Sequence, residues 1–267
     1  MKSTVILTKP FGDHSNRLFQ AIHYEAFCLE RGHRFYNLSF SDMRPIYAKN
    51  RRKSDLKKQT LINRLLKNEA VNKVVTKLTQ TPATPEALEA ATRNPLVCVG
   101  GWDFRVPELT KKYQDFFCSK YALNPKFLSG VQLCEHIKTW KKQGASVVGL
   151  HIRRGDYKEW KDGRYFFSDA VYAQHASHLA GLLAEEGKKC KTIVFSNEAV
   201  SIHRLINCEV SCNNWFVDQY LMSCCDYILG PPSTFSLWAS YIGKTKYLHL
   251  NEKTDPFRLS DFSYNFH

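Results

Sequence analysis

The sequence predicts an α/β protein built from two Rossmann-like halves, and three observations carry that prediction. A first strand at Thr4–Leu7 runs through a turn into a helix and then into a second strand at 33–40, the β–turn–helix–β order of one such half. From Ser146 onward a strand–loop–helix pattern repeats. Arg, Asn, Glu, Ser and Thr gather just after those later strands, at the carboxyl ends where open α/β sheets bind their ligands.

In the first half, Lys9-Pro-Phe-Gly-Asp-His14 reads as a turn, and Ser15 offers an N-cap. Leu18, Phe19, Ile22, Ala26 and Leu29 then recur at helical spacing until Gly32 stops the helix. The loop from Gly12 to Arg17 therefore joins a strand's carboxyl end to a helix's amino end, where free backbone N–H groups can meet an anion. A plain βα turn satisfies the same pattern.

Residues 56–78 form a long helical pattern with Leu61, Ile62, Leu65, Leu66, Val71, Val74, Val75 and Leu78 on one face and Lys or Arg over the remainder. Such a helix either packs on a core or lies on a membrane surface as a basic amphipathic element. Thr81-Pro-Ala-Thr-Pro85 breaks the chain, a short acidic helix follows, and a strand at 96–99 opens into the aromatic loop Gly100-Gly101-Trp102-Asp103-Phe104-Arg105. That loop could contact a sugar or turn a core corner. Asn124-Pro125 is expected to start a helix that runs to about Gln143 and links the halves. The expected domains are thus 1–144, with the basic helical insertion, and 145–250, followed by a tail at 251–267 that packs back on the body.

The second half opens with the apolar strand Val147-Val148-Gly149-Leu150, which leads into His151-Ile152-Arg153-Arg154-Gly155-Asp156-Tyr157. Strand period puts His151 and Arg153 on one face and Arg154 on the other. Guanidiniums beside an imidazole suit a diphosphate, because arginine offers fork-shaped donors. An Arg–Asp ion pair closing the strand is the plainer alternative. The Arg-Gly-Asp tripeptide at 154–156 is a chance match to an adhesion signal. Ser168 then caps a helix, a strand at 192–195 ends in Ser196-Asn197-Glu198, and a short helix spans 218–225. A strand at 227–229 meets Gly230-Pro-Pro-Ser-Thr-Phe-Ser236 ahead of another helix, and 247–250 is the last strand.

A net charge of +13 implies anionic company. Eleven Lys or Arg lie between Arg44 and Lys77 against Asp55 and Glu69, yet Tyr47 is the one aromatic there, so the nucleic-acid reading is the weakest. The amino terminus lacks the apolar core and cleavage site of a signal peptide. Nine cysteines without a CxxC pair read as reduced thiols, neither a disulfide framework nor a zinc site. The expectation is a cytoplasmic protein, with peripheral membrane contact through 56–78 as the further option.

Three segments, HIRRGDY at 151–157, FSNE at 195–198 and LMSCCDYILGPPSTFSLWASYIG at 221–243, resemble the inverting α1,2-fucosyltransferases, and GDHSNRLFQ at 12–20 is similar to the glycine-rich segment of the same enzymes. The resemblance implies a GT-B fold, two Rossmann-like halves facing across a cleft. It also implies fucose transfer from GDP-fucose to a glycan hydroxyl, such as galactose O2, with inversion and without a metal or other cofactor. By the same resemblance, Arg153 meets the β-phosphate, His151 lies near the nucleotide, and Glu198 reads guanine. Ser233, Thr234 and Ser236 serve the diphosphate, while Arg154, Asn197 and Phe235 complete the donor set. Asn16 lies near the reacting centre. The base is sought among Asp13, Asp156 and Glu159, although Asp156 could instead orient Arg153. No DxD-type metal motif appears.

The chain departs from the family at Arg17, at Asp13-His14 and at Leu237, positions that bear on the acceptor. A non-catalytic GDP-sugar or glycan-binding protein on the same scaffold is the alternative function.

Overall fold

The computed structural model describes residues 2–40, 42–47, 60–61, 64, 75–78, 83–251 and 256–264. They form two compact units, 1–124 and 125–265. The boundary falls ahead of the expected 144/145, because the helix preceding the central strand packs with the second unit.

The first unit holds a four-stranded parallel sheet in the order β2-β1-β4-β3, with β1 Thr4–Leu7, β2 Arg34–Asn37, β3 Thr76–Leu78 and β4 Leu96–Val99. Helix α1, His14–Glu30, follows β1 with Asp13 at its N-cap, so Ser15 lies buried in the first turn and does not cap. Gly32 adopts φ +69 beyond the helix end, as its expected stop position requires. Thr84 caps the short helix α2, Pro85–Ala91, its hydroxyl accepting from the Ala87 N–H at 3.2 Å.

The helix expected over 56–78 needs correction at its end. Thr76–Leu78 is an edge strand paired in parallel with β4, and Val75 is buried in the core beside Ile6 and Cys98. Its apolar residues fit both periods over so short a stretch, and pairing with β4 selects the extended form. Thr60, Leu61 and Arg64 are helical. The rest of the basic amphipathic face lies outside the described residues. Among those described, no helix is long and apolar enough to cross a membrane.

Helices α3, Pro107–Lys112, and α4, Gln114–Lys120, complete the first unit. The expected helix from Asn124 to Gln143 is also shorter than its pattern. A 3-10 turn at Pro125–Phe127 gives way to Gly130 at φ +77, and helix α5 covers only Gln132–Lys142.

The second unit is a five-stranded parallel sheet in the order β7-β6-β5-β8-β9. Its strands are β5 Ser146–Ile152, β6 Cys190–Ser196, β7 Cys208–Val210, β8 Tyr227–Gly230 and β9 Lys246–His249. Helices α6, Asp169–Glu185, α7, Trp215–Ser223, and α8, Thr234–Gly243, follow β5, β7 and β8. Strand β7 had no signal in the sequence reading. All seven residues of β5 are buried, and each large aliphatic among them contributes on the order of 1.5–3 kcal/mol. In chain order the strands run 3-2-1-4-5, so the order reverses between β5 and β8. Loops leaving this junction diverge and open the crevice in which such sheets hold ligands. Phe257 and Phe262 of the tail pack into the same core, and Ser263 bridges Tyr247.

Candidate active site

The crevice at the carboxyl ends of β5, β6 and β8 collects most of the expected donor residues. Gly230 ends β8 where a Cβ would lie 2.7 Å from the His151 carbonyl oxygen and 2.9 Å from its Cβ. The two strand ends can approach only because that side chain is missing. The chain then passes Pro231 and Pro232 to Ser233, the N-cap of α8, whose hydroxyl accepts from the Phe235 N–H at 3.2 Å. The amino end of α8 therefore lies at the carboxyl edge of the sheet, a setting suited to an anion.

Strand period separates the two arginines as expected. Arg153 keeps 28% of its side chain exposed, pairs with the Asp156 carboxylate at 2.8 Å, and lies over the Tyr157 ring at 5.5 Å. Arg154 turns the other way and is buried. Its guanidinium donates to the Phe167 carbonyl and to Asp169, in the first turn of α6. The structure thus places Arg154 in the scaffold, apart from the exposed rim. Its backbone N–H donates to Asn197 Oδ1 at 2.8 Å, tying the β5 and β6 loops together.

His151 is buried, and its Nδ1 shares a hydrogen bond of 2.5 Å with the Ser236 hydroxyl. Burial, and then the charge of Arg153, pushes its pKa down to about 3, so the ring is neutral at neutral pH. It can offer one hydrogen bond to a ligand but no positive charge. Ser236 is fully buried and spends its hydroxyl on His151, while Phe235 packs 5.3 Å from the imidazole. Both support His151 from behind, which leaves Ser233 and Thr234 as the half-buried groups at the rim.

Asn197 and Glu198 are exposed where β6 ends. A Cβ at Gly155, whose φ is +62, would lie 3.3 Å from the Asn197 amide nitrogen and 3.4 Å from a Glu198 carboxylate oxygen. The glycine therefore lets the β5 loop pass beside both side chains. No helix starts directly after Glu198, so it is not a helix cap. Glu159 is exposed as well.

Tyr157 is a link in the site that sequence pattern alone does not single out. It is buried, donates to the Pro232 carbonyl, and so joins the Arg153 loop to the Ser233 loop. Only its place in the HIRRGDY segment could have signalled it. Asp169, the partner of Arg154, carried no signal beyond its position after the Ser168 cap.

Asp13 and Asn16 belong to the first unit. Asp13 is exposed, and the Asn16 amide lies against Gly12, where a Cβ would sit 2.3 Å from its nitrogen. Arg17 donates to the Gly12 carbonyl at 3.2 Å and to Asp42 at 3.0 Å, which fixes this loop. Among the described residues, no three His, Cys, Asp or Glu side chains cluster as metal ligands.

The family model for glycosyl transferase family 11 matches residues 112–265, which include all three later motifs. The chain belongs to that family. The family resemblance expected from those motifs is therefore borne out as membership of glycosyl transferase family 11. Among solved structures it is similar to a point mutant of Arabidopsis thaliana FUT1 in complex with GDP, with 11% identity over 98% of this chain and 73% of that one and a TM-score of 0.59. That likeness is one of fold, and it gives the GT-B class of α/β architecture with parallel sheets. The fucosyltransferase NodZ from Bradyrhizobium is 14% identical over 98% of this chain and 97% of that one, with a TM-score of 0.47 that adds nothing to the fold argument. No curated protein sequence matches the chain.

Proposed function

We propose that this family 11 transferase moves L-fucose from GDP-fucose to a glycan hydroxyl, with galactose O2 as the acceptor position, by inversion and without a metal ion. The observation that carries the reading is the junction of β5 and β8, where the loop that bears Arg153 is tied through the Tyr157 hydroxyl to the Pro232 carbonyl just ahead of α8. As the bond to the sugar breaks, negative charge grows on the departing diphosphate. A guanidinium and oriented N–H groups stabilise that charge more in the transition state than in the ground state. Those groups can also do the work that a divalent cation does elsewhere.

Glu198 supplies a carboxylate for guanine N1–H and the 2-amino group, donors that adenine and uracil do not present together. Asp156 serves as the partner that aims Arg153, and Asp13 is the favoured base for the acceptor hydroxyl. The carboxylate at Asp13 is exposed and carries no side-chain cap to its own helix. The residual alternative is a GDP-sugar or glycan-binding protein without turnover. Incubation with GDP-fucose and a panel of galactosides, followed by GDP release and by NMR of the new anomeric centre, separates the two. An α-fucoside from the β-linked donor supports the reading, and GDP binding with no product on any acceptor removes it.

A further inference from the structure

Phe11, in the loop after β1, keeps 44% of its surface exposed. Its ring stacks on Trp102, in the loop after β4, with centroids 4.7 Å apart and planes 15° from parallel. The Arg105 guanidinium lies 4.1 Å from the Trp102 centroid. It is itself fixed by donating to the carbonyls of Trp102 and Phe104, the latter at 2.9 Å. An exposed aromatic ring is thus held on a rigid base, so little side-chain entropy is left to lose when a ligand covers it.

The position is as telling as the stack. Strands β1 and β4 pair in parallel at the middle of the first sheet, so the Phe11 and Trp102 loops leave side by side from its carboxyl edge. Ligands of open parallel sheets sit outside that edge. The Phe11 loop continues through Gly12, at φ +58, to exposed Asp13 and to Asn16. Hexoses present an apolar face of C–H groups and a rim of hydroxyls. One aromatic ring, one carboxylate and one amide answer both features. The guanidiniums of Arg17 and Arg105 are committed to protein carbonyls and to Asp42, which favours a sugar ring over a phosphate-bearing group here.

We propose that Phe11, backed by Trp102 and Arg105, is the platform on which a pyranose ring of the acceptor glycan stacks, with Asp13 on the same loop and Asn16 in the first turn of α1 addressing its hydroxyls. The proposal rests on the reading of the chain as a transferase with a glycan acceptor, and it assigns the acceptor's recognition to one exposed ring.

The test applies the full chain, as wild type, Phe11→Ala and Phe11→Trp, to a glycan array, with KM for the best galactosides measured in parallel. Thermal melts of the three proteins control for folding. Phe11→Ala should weaken glycan binding and raise KM about tenfold, the effect of one lost aromatic stack, while Phe11→Trp keeps or improves both. Equal binding by wild type and Phe11→Ala would overturn the platform, as would an array on which wild type binds nothing. Calorimetric titration of wild type with GDP and GDP-fucose tests the donor reading separately. Glycan binding lost in Phe11→Ala, from a protein that ignores both nucleotides, would keep the platform and sink fucosyl transfer.

Discussion

The Arg153 guanidinium is held by the Asp156 carboxylate at 2.8 Å, three residues along the same loop and 5.5 Å from the Tyr157 ring. The ion pair is partly solvated, so it adds little to stability. Its consequence is directional: the pair restricts a long side chain at the end of β5, on the loop that Tyr157 ties to the turn ahead of α8.

This pairing separates two roles for Asp156. Arg153→Lys loses a bidentate charge-assisted contact, which should cost roughly 1.5–3 kcal/mol, about one to two decades in rate. The loss should fall on kcat more than on donor affinity. Asp156→Asn keeps an acceptor for Arg153 and should cost about tenfold or less if Asp156 only orients. Steady-state kinetics of both variants decide this, since near-abolition by Asp156→Asn with intact GDP binding would make Asp156 the base.

Guanine selectivity should depend on Glu198. Wild type is expected to bind GDP over ADP and UDP, and Glu198→Gln should weaken GDP by about 1–3 kcal/mol while leaving the other two nearly unchanged. Gln retains one acceptor but turns an NH₂ group toward the second guanine donor. Calorimetry with the three diphosphates checks the outcome. Equal weakening of all three would place guanine recognition elsewhere.

Activity should survive excess EDTA. The proposed stabilisation of the leaving group uses Arg153 and the α8 N–H groups, and these remain in chelator. Loss of turnover in EDTA that Mg²⁺ or Mn²⁺ restores would contradict the proposed mechanism.

Gly230→Ala should damage the site through the scaffold. Its methyl would meet the His151 carbonyl at 2.7 Å, and that atom is backbone and cannot swing away. Overpacking of this kind costs about 1–3 kcal/mol. Urea unfolding should register that cost, and kcat should fall because β8 carries the Ser233 loop. A variant of unchanged stability and turnover would show that the β5–β8 approach does not matter.

The two units should respond differently to acid. His23 in the first unit is fully buried, and burial, then the charge of Arg105, pushes its pKa down to about 3. The unfolded chain takes up protons below about pH 6.5 that the folded one refuses, so stability is lost as pH falls, by about 2 kcal/mol between pH 7 and 5. His151 imposes a similar loss on the second unit. There, however, burial raises the Asp218 pKa to about 6 against its bond from Ser211. A raised carboxyl pKa acts in the opposite sense, because its cost is full above about pH 6 and relieved as pH falls toward 4, which returns a little over ~1 kcal/mol at pH 5. Hydrogen exchange of the intact chain at pH 7 and 5 should show core amides of the first unit losing more protection, after correction for intrinsic rates. Asp218→Asn should make the second unit as acid-sensitive as the first. Equal responses in wild type would refute the assignment.

Local sequence determined the central strands and the chemistry at their ends. Strands β1, β4, β5, β6 and β8 announced themselves as apolar runs, since strands buried on both faces can hold little else. The alternation of His151, Arg153 and Arg154 followed from strand period alone. Composition and periodicity could not determine the edges or the partners. Strands β3 and β7 are three residues each, none of them fully buried, and exist because β4 and β6 offer them hydrogen bonds. Tertiary structure also decided which arginine serves the crevice. Arg153 and Arg154 are equivalent as letters, but only Arg154 has Asp169 and the Phe167 carbonyl within reach, contributed by residues 167–169 once α6 packs on β5. Ser236 likewise reads as one more hydroxyl of a Ser/Thr-rich turn, until the first turn of α8 folds it inward onto His151. Partners supplied from elsewhere in the chain leave no trace in local pattern, because a hydrogen bond depends on position in space and the local sequence fixes only the donor.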